Sequence, residues 1–342
     1  MLAALAEGRS RLTHRARGED QESMVRCLAQ LGVAIAAGED ELEVVGAGLR
    51  GLHTPTTDLD CGNSGTTIRF LTGALAGTPH ADSRLVGDES LSRRPMRRLA
   101  TPLAILGADV RVSADGTPPV EVHGRQLRGG FVRIDVPSAQ VKTAVLLAAI
   151  QAEGVTKVAE STLTRDHTER LLRQLGVDVR LGDTITLHPP ARIEGFNLAV
   201  PGDPSSAAFW AVLAAVHPDA DLRVRKVCLN PARTGFLDVL LRMGANITVE
   251  GQHQEGGEMV GDLHIRSSGL NGVVVDKWEV PSMIDEVPVL ALAAAAATGA
   301  SRFEGVAELR HKEVDRLAAI ERQLGALGAG VETQGDDLLV AG

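Results

Sequence analysis

Five times along this chain a helical pattern stops at a leucine or methionine followed by glycine, and a short apolar stretch comes next. The copies are Leu28–Ile35, Leu103–Val110, Leu172–Val179, Leu240–Ile247 and Leu324–Val331. Their glycines are Gly32, Gly107, Gly176, Gly244 and Gly328, spaced by 75, 69, 68 and 84 residues. Glycine suits the stop because a left-handed backbone costs it nothing, and the apolar stretch after it reads as a strand. Self-similarity at a fixed period means a fold built from copies of one supersecondary unit. The period is too long for a solenoid of single hairpins.

A second series interleaves with the first. Gly62-Asn63-Ser64-Gly65-Thr66-Thr67 opens an apolar run closed by Gly77, with Asn63 or Ser64 as the N-cap and Gly77 as the C′ residue. Val136-Pro137-Ser138-Ala139-Gln140 opens a run ending near Gly154. Val200–Ser206 opens Ala207–Leu213, and Val280–Glu286 opens a run ending at Gly299. Each is a polar entry to a helix that is apolar nearly all round and therefore buried. Met1–Gly8 reads as the end of a fifth such helix without its polar entry. Strands are expected at Leu42–Gly46, Val120–His123, Thr184–His188, Leu263–Arg266 and Asp337–Val340. The unit is then βαβαββ, and five copies with the first lacking its start suggest a six-unit α/β fold with five units present. The chain length points to two domains, 1–197 with three units and 198–342 with two.

Composition narrows the function. The net charge of −9 argues against nucleic acid or an anionic membrane as the main partner. Basic residues still cluster, at Arg93, Arg94, Arg97 and Arg98 and at Arg310, Lys312 and Arg316, with Lys142 and Arg165 standing singly. Such clusters in an acidic protein suit small anionic ligands, although Arg97 and Arg98 read better as a solvated helix face. The cysteines Cys27, Cys61 and Cys228 show no paired spacing, which fits a reducing cytosol without disulfides. The ten histidines fall in no metal-ligand spacing. The run Val287–Ala297 is too short to span a bilayer.

The polar entries are candidate anion sites. Helix N-termini present free N–H groups and the positive end of the dipole, and glycines let a ligand come close. A single stretch of this kind more often does no more than cap a core helix; here the device recurs. Asp285-Glu286 opens a buried helix, where carboxylates usually satisfy N–H groups and can also act as acid or base. Lys312, Glu313, Asp315 and Arg316 read by composition as a charged surface helix. Arg165-Asp166-His167 has no accompanying serine elbow, so nucleophilic catalysis is not indicated. No phosphate-binding Gly-Lys-Ser/Thr loop or dinucleotide fingerprint is present.

Seven blocks in order together resemble one family. They are Gly62–Arg69, Gly87–Met96, Ser138–Lys142, Thr164–Glu169, Pro201–Ser206, Ile284–Glu286 and Lys312–Arg316. The family they resemble is 5-enolpyruvylshikimate-3-phosphate (EPSP) synthase, in its second class. The resemblance implies the enolpyruvyltransferase fold: two domains of three βαβαββ units with buried helices, an inside-out α/β barrel-like arrangement. It implies transfer of the enolpyruvyl group of phosphoenolpyruvate to the 5-hydroxyl of shikimate 3-phosphate, with release of phosphate, in cytoplasmic aromatic amino-acid biosynthesis. Gly65, Arg94, Gln140 and Arg316 are placed by the resemblance on phosphoenolpyruvate. Ser138, Ala139, Gln140, Arg165, Asp285 and Lys312 are placed on shikimate 3-phosphate, with Asn63, Thr66 and Arg69 in support. Asp285 would take the hydroxyl proton and Glu313 would move a proton to and from the methylene. No metal or organic cofactor is implied, and the family form would be a monomer.

The family's opening Pro-Gly-Asp-Lys-Ser-x-Ser-His-Arg segment and its late Asp-His-Arg block and C-terminal lysine have no counterpart in the sequence. On that ground weak or absent activity is expected of this chain. Two alternatives stay open at this point. One is an enzyme like UDP-N-acetylglucosamine enolpyruvyltransferase, which uses a loop cysteine that none of Cys27, Cys61 or Cys228 matches. The other is a non-catalytic homologue that only binds shikimate 3-phosphate.

Overall fold

A computed structural model describes residues 1–342, which form two compact units, Met1–Val200 and Pro201–Gly342. The first repeat is α1 (Leu2–Leu5), β1 (Glu7–Thr13), α2 (Glu19–Gln30), β2 (Ala34–Ala37) and β3 (Glu41–Ala47). The second is β4 (Leu59–Asp60), α3 (Gly65–Ala76), β5 (Ser83–Val86), α4 (Arg97–Ile105), β6 (Asp109–Val112) and β7 (Val120–His123). The third is β8 (Phe131–Ile134), α5 (Ala139–Ala149), β9 (Thr156–Glu160), α6 (His167–Gln174), β10 (Val179–Arg180) and β11 (Ile185–Leu187). The fourth is β12 (Asn197–Ala199), α7 (Pro204–Val216), β13 (Asp221–Cys228), α8 (Gly235–Arg242), β14 (Asn246–Glu255) and β15 (Glu258–Arg266). The fifth is β16 (Val274–Val275), α9 (Val287–Ala295), β17 (Ser301–Phe303), α10 (Arg316–Ala326), β18 (Gly330–Gln334) and β19 (Asp337–Ala341). No helix is long and apolar enough to cross a membrane.

The second, third and fifth repeats each make one four-stranded sheet of the same design, while the fourth keeps a three-stranded antiparallel sheet, β13-β15-β14. In those three the first strand pairs in parallel with the second, as β4 with β5, β8 with β9 and β16 with β17, and the remaining pairs are antiparallel. In the first sheet the parallel place beside β1 is taken by β12, with Arg11 opposite Asn197. The five Leu-Gly or Met-Gly stops share one backbone state, with φ between 82° and 93° at Gly32, Gly107, Gly176, Gly244 and Gly328. That left-handed turn sends each second helix of a repeat back into a strand, and it requires glycine. Gly77 departs from the expected C′ geometry: its φ is −92°, and the glycine is needed because a Cβ there would lie 2.8 Å from Cβ of Gln151.

Unit 1 has one core, in which α1, α3 and α5 are buried together. The backbones of α3 and α5 meet closely, since a Cβ at Gly73 would lie 2.2 Å from the Ala144 carbonyl oxygen. This contact sets the two polar entries, at Ser64 and Ser138, side by side. Unit 2 has its own core around α7 and α9. There the apolar helices are not wholly covered: Phe209, Trp210 and Leu213 of α7 are 60%, 55% and 51% exposed, and Leu292 of α9 is 43% exposed. Replacing Trp210 and Leu213 together by serine should change unfolding free energy by no more than about 1 kcal/mol, as for surface positions. A loss of several kcal/mol in denaturant titration, the scale of a core deletion, would mean that this face is packed.

Candidate active site

In unit 1 the candidate groups gather at the N-termini of α3 and α5. Ser64 caps α3 by accepting from the Thr67 N–H at 3.0 Å, and Ser138 caps α5 by accepting from Val141 at 3.4 Å. The two helix starts are tied by side chains: Arg69 donates to the Gln140 amide oxygen, and Gln140 Nε2 donates to Thr66 Oγ1 at 2.7 Å. Arg94 reaches in from the turn before α4 and donates to Asn63 Oδ1 at 2.7 Å. Asn63 in turn donates to Asp88 at 2.8 Å. The Leu91 N–H and Asn63 hold the Asp88 carboxyl below its usual range. Asp88 thus belongs to the site, and no periodicity in the sequence pointed to it.

Gly65 sits between two guanidinium groups. A Cβ there would lie 3.0 Å from Arg94 Nη1 and 3.2 Å from Arg69 Nη1. Arg69 is only 8% exposed, and the Nε atoms of both Arg69 and Arg94 are buried without a hydrogen-bond partner. Burial first, then the charges of Arg98 and Arg94, lower the Arg69 pKa to about 10. Two cations held together beside a helix N-terminus favour an anion at that place.

Arg165 is half-buried in the loop that leads into α6. That loop is anchored from below by Lys142, which is 1% exposed. Its Nζ lies 2.7 Å from Glu169 Oε1 and 3.0 Å from Glu160 Oε2, and it donates to the Thr164 carbonyl at 3.4 Å. Thr164 Oγ1 donates to Glu160 at 2.5 Å, and the hydroxyls of Thr143 and Thr168 are 2.7 Å apart. The expectation that Lys142 offers its charge to a ligand is therefore corrected: its ammonium is enclosed by carboxylates. Burial raises the Glu169 carboxyl, and Lys142 offsets only part of that.

In unit 2 the candidate groups meet at the start of α9. Asp285 immediately precedes Glu286, the N-cap residue of α9. Arg316 Nη1 donates to Asp285 Oδ1 at 3.0 Å, and Lys312 Nζ lies 3.3 Å from the same oxygen. Arg316 Nη2 donates to Glu313 Oε1 at 2.7 Å, so one guanidinium spans both carboxylates. Lys312 and Glu313 are not on a surface helix, as composition suggested. They form the turn between a 3-10 segment, Ala307–His311, and α10, which Asp315 caps through the Ala318 N–H. The turn is what lets Lys312, Glu313 and Arg316 converge on one point.

Comparison with known proteins identifies the family of the chain. The family model described as EPSP synthase (3-phosphoshikimate 1-carboxyvinyltransferase) matches residues 1–342. The chain is 48% identical to the 3-phosphoshikimate 1-carboxyvinyltransferase of Roseiflexus castenholzii, over all of this chain and 80% of that protein. It is 46% identical to the protein of the same name from Chloroflexus aurantiacus, again over all of this chain and 80% of the relative. The solved EPSP synthase of Acinetobacter baumannii superposes with a TM-score of 0.89 at 41% identity, covering 99% of this chain and 77% of that one. Built of βαβαββ repeats and matched along its whole length, the chain belongs to the EPSP synthase family.

Proposed function

We propose that this protein is a 3-phosphoshikimate 1-carboxyvinyltransferase in which Arg94 and Arg316 hold the carboxylate and phosphate of phosphoenolpyruvate, with Gly65 and Gln140 beside it. Ser138, Ala139, Gln140, Arg165 and Lys312 hold shikimate 3-phosphate, and Asp285 contacts its reacting hydroxyl. The hydroxyl oxygen bonds to C2 of phosphoenolpyruvate as Asp285 takes its proton, and Glu313 delivers a proton to the methylene carbon, making it a methyl group. In the second half the bond from C2 to the phosphate oxygen breaks, the proton held by Asp285 leaves with the phosphate, and Glu313 removes a methyl proton to restore the double bond. The first domain, 1–197, carries Ser138, Ala139, Gln140 and Arg165, and the second, 198–342, carries Lys312 and the carboxylates Asp285 and Glu313. The residues named here for both substrates come from one chain, which supports a monomer. Cys27 and Cys61, two buried thiols outside any disulfide, support the cytoplasm as its place.

The observation that carries this reading is the pair formed by buried Arg69 and half-buried Arg94 around Gly65, which favours a strongly anionic ligand. Gly65→Ala tests it. The added methyl presses first on the two guanidinium groups, which are flexible enough to yield, so the fold should survive. Displacing Arg94 should raise KM for phosphoenolpyruvate about tenfold, the scale of one charged contact. In calorimetry, Arg165→Ala should weaken shikimate 3-phosphate instead, by a similar factor. Unchanged KM in Gly65→Ala would remove phosphoenolpyruvate from this place, and unchanged affinity in Arg165→Ala would remove Arg165 from the second substrate.

A further inference from the structure

Unit 2 holds a second polar cluster, at the starts of α7 and α9. Glu286, the neighbour of Asp285, is 1% exposed and does not cap its own helix. Its carboxylate instead accepts a hydrogen bond from the Ser205 hydroxyl, in the first turn of α7. Arg233, from the turn before α8, completes the cluster. Its Nη2 donates to Asp203 Oδ1 at 2.9 Å and to Ser205 Oγ at 2.7 Å, and lies 3.8 Å from Glu286 Oε1. Asp203 is the N-cap of α7, accepting from the Ser206 N–H at 2.9 Å. Burial alone would raise the Asp203 carboxyl, but Ser206 and Arg233 outweigh it and hold it low.

The turn that carries Arg233 is itself fixed. Its N–H donates to the Asn230 carbonyl at 2.8 Å, and the Ala232 N–H to Asn230 Oδ1 at 2.9 Å. Asn230 is fully buried and donates to Glu258 at 3.0 Å. The Arg233 side chain is 11% exposed, too enclosed to serve as a surface charge. One guanidinium thus faces two carboxylates from two helix starts, in a setting where charge-assisted hydrogen bonds are strong.

We infer that Arg233 is a positioning residue for the transfer reaction: by joining the start of α7 to Glu286, it fixes the peptide that carries Asp285. The inference rests on the role proposed for Asp285. Without the cation, the Asp203 and Glu286 carboxylates repel, Glu286 shifts, and Asp285 loses its alignment with Lys312 and Arg316. A small misplacement of a reacting group costs rate more than binding.

The test measures kcat, KM for both substrates and Tm in Arg233→Met, Arg233→Lys, Glu286→Gln and the Arg233→Met/Glu286→Gln pair. Arg233→Met should lower kcat about tenfold or more, with both KM values within about threefold of wild type. The double variant should lose less than the product of the two single losses, because removing the carboxylate relieves the repulsion. Arg233→Lys should recover part of kcat, and it carries the test if Arg233→Met fails to fold. Wild-type kcat in folded Arg233→Met or Arg233→Lys, or multiplicative losses in the double variant, would overturn the inference. Asp285→Asn is run alongside: wild-type turnover there would mark a failure of the role proposed for Asp285 itself.

Discussion

Glu313→Gln should lower turnover by about 10²-fold or more, the scale of a lost general acid or base. Asp285→Asn should do the same. The two should differ in binding. Glu313 is turned toward Arg316 and is partly exposed, so its amide should leave shikimate 3-phosphate affinity close to wild type. Asp285 meets both Lys312 and Arg316 and is proposed to contact the reacting hydroxyl, so its amide should weaken that substrate as well. Steady-state kinetics with calorimetric titration separates these outcomes. Near-normal turnover in Glu313→Gln would remove that residue from the mechanism.

The largest effect on stability is expected at Lys142. Replacing it by methionine leaves Glu160 and Glu169 buried without the ammonium between them, and breaking a buried pair from one side costs about 3–5 kcal/mol. The variant Lys142→Met/Glu160→Gln/Glu169→Gln should regain much of that, since no carboxylate charge remains to be answered. Glu169 adds a pH dependence. Its carboxyl is raised above the ordinary value of 4.5, mainly by burial. A raised value means that the folded protein favours the protonated form. The contribution is therefore fully present below the ordinary value and is lost as pH rises through the folded one. Glutamine imitates the protonated state, so Glu169→Gln should gain on wild type between about pH 4 and pH 7, across the carboxylate range. Denaturant unfolding at both pH values checks this, and a gap that is constant with pH would contradict it.

Much of the architecture was legible because it rests on local chemistry. The five glycine stops need a left-handed backbone, and that need is visible residue by residue. The caps at Ser64, Ser138 and Asp203 arise from short polar side chains before apolar runs. The site was legible only as a set of motifs. Arg69 and Gln140 are 71 residues apart, and only the close packing of α3 on α5 brings them together. Lys142 was misread because a lone lysine in an apolar helix gives no hint of Glu160 and Glu169, which arrive from β9 and α6. The Lys312–Glu313 turn was hidden because its composition equals that of a charged helix. Arg233 lies in a segment whose sequence suggests only the turn before α8; its partners come from α7 and α9.

In the proposed reaction one carboxylate, Glu313, moves the proton on and off the methylene carbon while Asp285 serves the hydroxyl. Addition turns the methylene into a methyl group and elimination restores it, so a reaction run in D2O must place deuterium in the vinyl group of the product. NMR of the product reads this directly. Wild type should show the deuterium. Glu313→Gln, given time to form measurable product, should show its rate of deuterium entry falling together with its turnover. Asp285→Asn should slow C–O bond formation yet leave the deuterium content of whatever product forms at the wild-type level. Deuterium entering at the wild-type rate in Glu313→Gln would contradict the account.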